Sequence, residues 1–216
     1  MARTRVGRRL PRSFYARRAT TVAPDLLGRI LIRRLGSDVR LAARIVETEA
    51  YEPHDPASHA YRGRTARTAV MFGTPGHLYV YFTYGMHHCM NAVTGPTGVG
   101  MAVLIRAAEP IEGVAEMRAR RGREPMRDLC SGPAKLCQAF GVDRALNGID
   151  LVRGPDLWIA EGTPVPTARI VAGPRVGIRV GKEYAWRFSV ADDPFVSRAR
   201  AGTTARGSAK TDPSTP

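Results

Sequence analysis

The amino-acid sequence predicts an α+β fold, a single domain built mainly on an antiparallel sheet or partly open barrel that helices cover. The length of 216 residues, with 44% apolar and 24% charged residues, suits one soluble globular domain. Strand-like runs follow one another across short glycine-containing turns, which is typical of antiparallel pairing. Two segments with helical spacing come after these runs, and we expect them to cover the sheet.

The first half of the chain predicts one helix and five strands. Thr21 precedes an apolar segment that ends at Gly28, a pattern typical of a short capped helix. The strand-like segments 29–35 and 39–49 are joined by a turn at 36–38, which predicts a hairpin. Three further β-rich runs cover 77–84, 88–94 and 100–107. The five strands together predict a meander or a partly closed barrel.

The second half predicts two helices and further short strands. Helical spacing covers 111–121, and the segment 133–140 begins with proline and stops at Gly141. Strand-like pieces follow at 170–171, 176–180 and 186–190. Low apolar content at both ends predicts that a basic flexible N-terminus (1–12) and a disordered C-terminal tail (199–216) flank a domain at 13–198.

The charge of the chain suggests a polyanionic partner, with nucleic acid as the leading candidate. Thirty arginines and three lysines against 19 acidic residues give a net charge of +14. The charge concentrates at 1–18, at Arg62, Arg64 and Arg67, and between 118 and 127. Internal clusters of this kind suit phosphates that are contacted across a surface. An arginine-rich composition without a polyanionic partner is the alternative interpretation.

Cysteine spacing and hydropathy predict an intracellular protein without a metal centre. Cys89, Cys130 and Cys137 form no CxxC pair and leave one thiol over in any pairing, so a reducing cytoplasm suits them. Cys130 and Cys137 lie two helical turns apart, which favours buried small residues over metal ligands. No apolar run approaches the roughly 18 residues of a membrane span. One domain with one pocket requires no partner copy, so we expect a monomer.

Acidic residues at a strand end suggest where chemistry takes place. If 39–51 is one extended strand, its odd-numbered residues share a face that is apolar up to Ile45 and then carries Glu47, Glu49 and Tyr51. Two carboxylates beside an aromatic ring suit chemistry on a flat, stackable substrate. Arg106 ends an apolar run and is a possible partner for Glu49. A solvated carboxylate at a strand end is the alternative interpretation of Glu49.

A tyrosine-rich run suggests a surface for nucleobases. Tyr79 and Tyr81 share one face of a predicted strand, and Tyr84 precedes Gly85, where a turn would push its ring outward. An exposed ring at a turn could insert between bases. An aromatic-rich core strand is the alternative.

The chain resembles the alkyladenine, or 3-methyladenine, DNA glycosylase family from about residue 26 to residue 197. The matching segments occur in order along the chain and are VETEAY at 46–51, PGHLYVY at 75–81, YGM at 84–86, CMN at 89–91, LIRA at 104–107, EPIEG at 109–113, LCSGPAKLCQ at 129–138 and PRVGI at 174–178. The resemblance implies a DNA repair enzyme that flips damaged purines out of double-stranded DNA. It also implies hydrolysis of the N-glycosidic bond without a metal or organic cofactor.

The same resemblance implies a role for each matching residue. Glu49 matches the general base that activates water, and Arg106 matches the residue that positions it. The base-binding pocket would be formed by Tyr51, His59, Tyr81 and Asn91. Tyr84 matches the side chain that intercalates where the base has left. Glu47 competes with Glu49 for the catalytic role, and the motif favours Glu49 because it lies two residues before the tyrosine.

The predicted reaction is simple hydrolysis that leaves an abasic site. A lyase activity would require an amine nucleophile, and the chain has only Lys135, Lys182 and Lys210. The protein would act in the bacterial cytoplasm and associate with the nucleoid when bound to DNA. A non-catalytic nucleic-acid-binding module remains the alternative function. The sequence leaves open the ranking of 3-methyladenine, 7-methylguanine, hypoxanthine and ethenoadenine as substrates.

Overall fold

A computed structural model of the chain describes residues 7–122 and 124–198. The predicted disordered tail at 199–216 lies outside the described residues, as do residues 1–6 of the predicted flexible N-terminus. The described part of that N-terminus lies against the domain. Leu10 is buried in the main core, and Arg9 forms an isolated β-bridge with Ala160.

The described residues form four α-helices and eight β-strands. The helices are α1 (Arg12–Tyr15), α2 (Ala19–Asp25), α3 (Val114–Arg121) and α4 (Pro133–Phe140). The strands are β1 (Ile30–Leu35), β2 (Val39–Tyr51), β3 (Leu78–Thr83), β4 (His87–Val93), β5 (Ala102–Glu112), β6 (Leu157–Ala160), β7 (Ile170–Gly173) and β8 (Arg187–Val190). No helix among these residues is long and apolar enough to cross a membrane.

The strands form one curled antiparallel sheet, which confirms the predicted α+β fold. The order along the sheet is β3-β4-β5-β2-β1-β6, and β8 pairs with both β2 and β7. The strand β2 is the centre of the fold because it pairs with β5 along one edge, and with β1 and then β8 along the other. The sheet curls into a half-barrel. Its concave arrangement brings β2, β3, β4 and β5 together around one cavity.

Alternation along the strands separates a helix-covered face from a cavity face. The helix α4 packs on β4 and β5, and α2 packs on β2 and β5. Residues that point toward these helices include Val80, Met90 and Ile105, which are all in the main core. Successive side chains of a strand point to opposite faces, so the residues between these core positions point into the cavity.

A β-bulge in β2 changes which residues lie on each face. Leu41, Ala43 and Ile45 pack in the main core, but the pairing with β5 shifts register between Ile45 and Glu47. After the shift, Val46 and Ala50 pack in the core, and Glu49 faces the cavity. The prediction of one continuous face over 39–51 is therefore wrong. The bulge matters because an ionised carboxylate is costly in an apolar core, and bulges commonly redirect side chains next to active sites.

Most predicted elements are present, with different boundaries in several places. The helix α4 has the predicted bounds, and α2 begins at Ala19 instead of after Thr21. The strand β5 continues to Glu112, where a helix was predicted, because its last residues still pair with β2. The strand β6 was not predicted. The segment 176–180 was predicted as a strand, but it is an irregular segment that crosses the cavity.

Candidate active site

The cavity has a volume of about 410 Å³ and lies against the open face of the sheet. Each of the four strands β2, β3, β4 and β5 contributes alternate residues to its lining. These are Glu49 and Tyr51 from β2, Tyr79 and Tyr81 from β3, Cys89 and Asn91 from β4, and Ala102, Leu104 and Arg106 from β5. Strand pairing fixes their neighbours, since Asn91 and Glu49 both lie opposite Leu104, and Tyr81 lies opposite Cys89. The floor of the cavity is therefore a rigid part of the sheet.

Glu49 is a buried carboxylate with a defined set of hydrogen bonds. Its Oε1 accepts hydrogen bonds from Nη1 of Arg106 at 3.1 Å and from the backbone N–H of Val176 at 2.8 Å. Its Oε2 accepts a hydrogen bond from the hydroxyl of Tyr51 at 2.8 Å. A carboxylate offers about four lone-pair positions, and these three bonds leave one of them, on Oε2, for a further donor. A water molecule that approaches from the cavity could use this position.

Glu47 shares the arginine of Glu49 but does not line the cavity. Its Oε1 accepts from Nε of Arg106 at 3.2 Å and from Nε of Arg187 at 2.5 Å, and its Oε2 accepts from the backbone N–H of Ser197 at 2.8 Å. Glu47 is fully buried, at the part of β2 that pairs with β8. It therefore has the surroundings of a structural carboxylate, and Glu49 is the one that a ligand in the cavity could reach.

Aromatic rings form the walls of the cavity. Tyr51 and Tyr81 both line it, and the Tyr81 ring stacks on Tyr79 with centroids 5.7 Å apart and planes 29° apart. Burial and the adjacent Glu49 carboxylate raise the pKa of Tyr51 well above its ordinary value of 10, so its hydroxyl remains a hydrogen-bond donor. Burial likewise raises the pKa of Tyr81. The structure thus places neutral rings on the cavity walls.

His59 reaches the cavity from the loop after β2. Its Nδ1 lies 3.1 Å from the hydroxyl oxygen of Tyr79, and its ring meets Tyr81 edge-on with centroids 4.5 Å apart. Burial, assisted by the positive charge of Arg67, lowers the pKa of His59 from its ordinary value of 6.5. His59 is therefore neutral at physiological pH and offers one donor and one acceptor nitrogen.

Asn91 is buried in the cavity floor. Its Nδ2 donates a hydrogen bond to the backbone carbonyl of Tyr79 at 3.1 Å. This bond fixes the orientation of the amide and leaves its second N–H and its Oδ1 for a ligand. Asn91 is therefore placed where it could contact the edge of a flat ligand.

Tyr84 lies at the tip of the β3–β4 hairpin. Thr83 pairs with His87, so the loop consists of Tyr84, Gly85 and Met86. Tyr84 has a left-handed backbone with φ of 52°, which is uncommon for a residue other than glycine. Its side chain is 81% exposed and lies at the rim of the cavity. The turn thus presents the ring outward, as the sequence predicts.

Three features of the site were not assigned from the sequence. The segment 176–180 forms part of the lining, and Val176 binds Glu49 through its backbone. Arg175 and Asp55 form a fully buried ion pair behind Tyr51. Arg175 lies in the PRVGI segment at 174–178, so the motif marked the position without indicating what it contacts. Backbone donors and long-range ion pairs leave no pattern in local sequence.

The predicted basic clusters occupy different surroundings. Arg67 lies near the cavity, with its guanidinium carbon 5.9 Å from the Tyr81 ring centroid. In the cluster at 118–127, Arg120 pairs with Glu116, and Arg127 donates to the backbone carbonyl of Pro194. Part of the cluster at 118–127 therefore forms contacts within the protein.

Comparison with known proteins identifies a match over most of the chain. A family model described as "Methylpurine-DNA glycosylase (MPG)" matches residues 13–194. Relatives from Carboxydothermus hydrogenoformans, Burkholderia cenocepacia and Streptomyces avermitilis are 51%, 53% and 52% identical over 189, 193 and 202 residues. The matches cover 88%, 88% and 91% of this chain, and 98%, 91% and 94% of the relatives. Each relative bears the name "Putative 3-methyladenine DNA glycosylase".

Proposed function

We propose, since the chain belongs to the methylpurine-DNA glycosylase family, that it flips damaged purines out of double-stranded DNA and hydrolyses their N-glycosidic bond. The observation that carries this proposal is Glu49, a buried carboxylate that faces a ring-lined cavity and keeps one lone pair free. A module that only binds DNA has no need for a buried charge at this place. The protein would act as a monomer in the cytoplasm, on nucleoid DNA.

The reaction begins with a water molecule bound to Oε2 of Glu49. Arg106 and the N–H of Val176 hold Oε1, so the carboxylate cannot rotate away from the cavity. Water attacks the anomeric carbon of the deoxyribose, the base leaves with the electron pair of the glycosidic bond, and the carboxylate accepts the proton of the water. The products are a free base and an abasic site.

The charge of Glu49 also suits the transition state. As the glycosidic bond breaks, positive charge develops on the sugar, and a fixed carboxylate stabilises that charge. An alkylated purine that is already cationic leaves as a neutral base, so the enzyme needs no strong acid for such a substrate. The remaining requirements are a positioned water and a pocket that holds the extruded base.

The rings of Tyr51, Tyr81 and His59 provide that pocket. A purine between Tyr51 and Tyr81 would stack on both walls, and a cationic purine would gain about 0.5–2 kcal/mol from cation–π attraction. Asn91 would contact the purine edge through its free amide groups, where the amino group of guanine would be crowded. The cavity of about 410 Å³ is large enough for one base.

Tyr84 would stabilise the DNA after the base has left the helix. Its ring is exposed at the tip of a narrow hairpin, so it can enter the gap in the base stack. Filling the gap offsets part of the few kcal/mol that unstacking costs. This role requires an exposed ring, which explains why so large an apolar group remains in solvent.

We propose that the enzyme is monofunctional. A lyase reaction would need an amine near the sugar, and neither of the two lysines in the described part of the chain lines the cavity. Lys135 donates a hydrogen bond to Oγ of Ser131 at the start of α4. A protein–DNA adduct that borohydride traps on damaged substrate would contradict this assignment.

The test compares the protein with its Glu49→Gln variant on methylated duplex DNA in the presence of a chelator. The glutamine keeps an oxygen for Arg106 and Val176 but has no carboxylate to accept a proton. We expect the wild type to release free base and the variant to lose at least about 100-fold in rate while it still binds damaged DNA.

Glu47→Gln serves as the matched control, since it changes an equally buried carboxylate that does not line the cavity. This variant should retain excision at a rate within about tenfold of the wild type. Excision by Glu49→Gln at the wild-type rate would remove Glu49 from the catalytic role. Tight binding of damaged DNA without excision by the wild type would instead support the non-catalytic module.

A further inference from the structure

Tyr51 forms one wall of the cavity, and the face of its ring turned away from the cavity carries a fixed positive charge. The guanidinium carbon of Arg175 lies 4.7 Å from the centroid of the Tyr51 ring. The side chain of Arg175 is fully buried and does not line the cavity. The guanidinium therefore lies on the far side of the ring, where a base in the cavity would not touch it.

Both terminal nitrogens of Arg175 are held by hydrogen bonds. Arg175 forms a bidentate ion pair with Asp55. It also donates hydrogen bonds to the backbone carbonyl of Ala50 at 3.0 Å and to that of Gly181 at 3.2 Å. Burial disfavours its charged form, but the hydrogen bonds and charge of Asp55 outweigh this effect and raise the pKa of Arg175. The position of the charge is thus fixed.

Aromatic side chains also lie near the guanidinium on the side of Trp186. The guanidinium carbon lies 5.3 Å from the centroid of the Trp186 ring, and Tyr184 stacks on Trp186 at 4.1 Å with the planes 7° apart. The guanidinium thus contacts the Tyr51 ring from a position that its ion pair, its backbone hydrogen bonds and these rings define.

The charge has a second consequence, for the choice of substrate. A cation on one face of an aromatic ring repels a second cation on the opposite face. This repulsion weakens the net attraction of the opposite face for positive charge. The site is buried, so salt screens this repulsion weakly. A neutral purine stacked on Tyr51 would feel little of it.

We propose that Arg175 is a specificity-determining residue, which fixes Tyr51 as a wall and lowers the preference of the pocket for cationic bases relative to neutral ones. This inference rests on the proposed glycosylase function. Asp55 contributes to the same effect, because the negative charge of its carboxylate partly offsets the electric field of the guanidinium. Removing both charges should favour cationic lesions, and removing Asp55 alone should disfavour them.

The test is a ratio of single-turnover excision rates on two duplexes of the same sequence, one with cationic 7-methylguanine and one with neutral hypoxanthine. The variant Asp55→Asn/Arg175→Gln, which has neither charge, should raise the ratio of 7-methylguanine to hypoxanthine excision about threefold to tenfold over the wild type. Asp55→Asn alone should lower the ratio. Arg175→Lys keeps the charge but loses the planar group, so it should slow both reactions and leave the ratio unchanged.

A purely structural role would slow both reactions equally in every variant, and an unchanged ratio in the double variant would overturn the proposal. If far-UV circular dichroism shows that the double variant does not fold, Asp55→Asn provides the test instead. An unchanged or higher ratio of 7-methylguanine to hypoxanthine excision in Asp55→Asn would also contradict the proposal. Absence of base release by the wild type from both duplexes, and from duplexes that carry 3-methyladenine or ethenoadenine, would refute the glycosylase function itself. Release by the wild type with unmoved ratios in the variants would refute only the role of Arg175.

Discussion

The carboxylate cluster and the hairpin tip differ in how exposed their side chains are. The carboxylate cluster consists of Glu47, Glu49 and Arg106. The hairpin tip consists of Tyr84, Gly85 and Met86. Both carboxylates are completely buried, and every described hydrogen bond to them comes from groups that the fold fixes. At the hairpin tip, Tyr84 is 81% and Met86 is 70% exposed. Glu49, Arg106 and Tyr84 line the same cavity.

Under the proposed function, this difference separates the groups that act on the sugar from the ring that enters the DNA. A charge that must stabilise a transition state has to be in place beforehand, and burial with many hydrogen bonds achieves that at some cost in desolvation. A ring that enters DNA finds its partner only in the complex, so it has no contacts to lose in the free protein. Mutation of Arg106 in the cluster should therefore affect stability and excision, whereas mutations at the tip should affect excision alone.

The largest effect should follow from Arg106→Met in the carboxylate cluster. This change removes the only cation that pairs with Glu49 among the described residues, and it leaves a buried carboxylate uncompensated. We expect the free energy of unfolding to fall by about 3 kcal/mol, as measured by urea denaturation. Excision should fall as well, because the carboxylate loses its fixed orientation.

Arg120→Met provides the control for that measurement, since Arg120 also pairs with a glutamate but on the exposed surface of α3. It should cost less than about 0.5 kcal/mol. A similar small cost for Arg106→Met would show that the cluster is no more important to the fold than a surface ion pair.

Tyr84→Ala should lower the excision rate without lowering the stability of the protein. Because the ring is exposed and alanine experiences similar strain at this backbone angle, we expect the free energy of unfolding to change by less than about 0.5 kcal/mol. Excision at low enzyme concentration should fall about tenfold, since one stacked ring is worth about 1–3 kcal/mol. Single-turnover kinetics and urea denaturation on the same preparation measure both quantities.

The exposed Tyr61, which does not line the cavity, is a matched control for this variant. Tyr61→Ala should leave excision unchanged. Equal excision by Tyr84→Ala and the wild type, with equal DNA binding, would argue that the hairpin tip does not enter the helix.

The smallest effect should be a pH dependence that arises from His59, which lines the same cavity. Burial lowers the pKa of His59 in the folded state below its ordinary value of 6.5, so the unfolded chain takes up the proton first as the pH falls. Stability should therefore decrease as the pH falls through 6.5 and level off below the folded-state pKa. Unfolding free energies at about pH 7.5 and about pH 5.5 should differ less in His59→Gln than in the wild type. A larger difference in the variant would contradict the lowered pKa.

Local patterns predicted much of the fold correctly. The hairpin of β1 and β2, the β3–β4 hairpin and the helix α4 follow from turn residues and periodicity over short distances. The strand β6 was missed because it is only four residues long and depends on pairing with β1. The end of β5 was predicted as the start of a helix because apolar residues in that segment have helical spacing. The same residues also fit the end of a strand that pairs with one neighbouring strand.

The candidate site was predicted more completely than its supporting contacts. The structure brings Glu49, Tyr51, His59, Tyr81, Tyr84, Asn91 and Arg106 together around one cavity. Strand alternation and turn residues singled out Glu49, Tyr51, Tyr81, Tyr84 and Arg106, and motif resemblance added His59 and Asn91. The catalytic and binding roles of these residues remain predictions. Local reasoning could not anticipate that Val176 and Arg175 approach β2 from more than 120 residues away.

The sequence by itself determined the α+β class, the main hairpins and seven of the residues at the cavity, because turn chemistry, periodicity and motif resemblance are properties of the linear chain. Only the tertiary structure decided which carboxylate a ligand can reach. Alternation along β2 would have placed Glu49 with the apolar core, and the bulge after Ile45 turned it into the cavity instead. A bulge depends on how two strands pair, and a charge behind a ring depends on which distant segments meet. Both are set by long-range packing, which short-range sequence patterns do not specify.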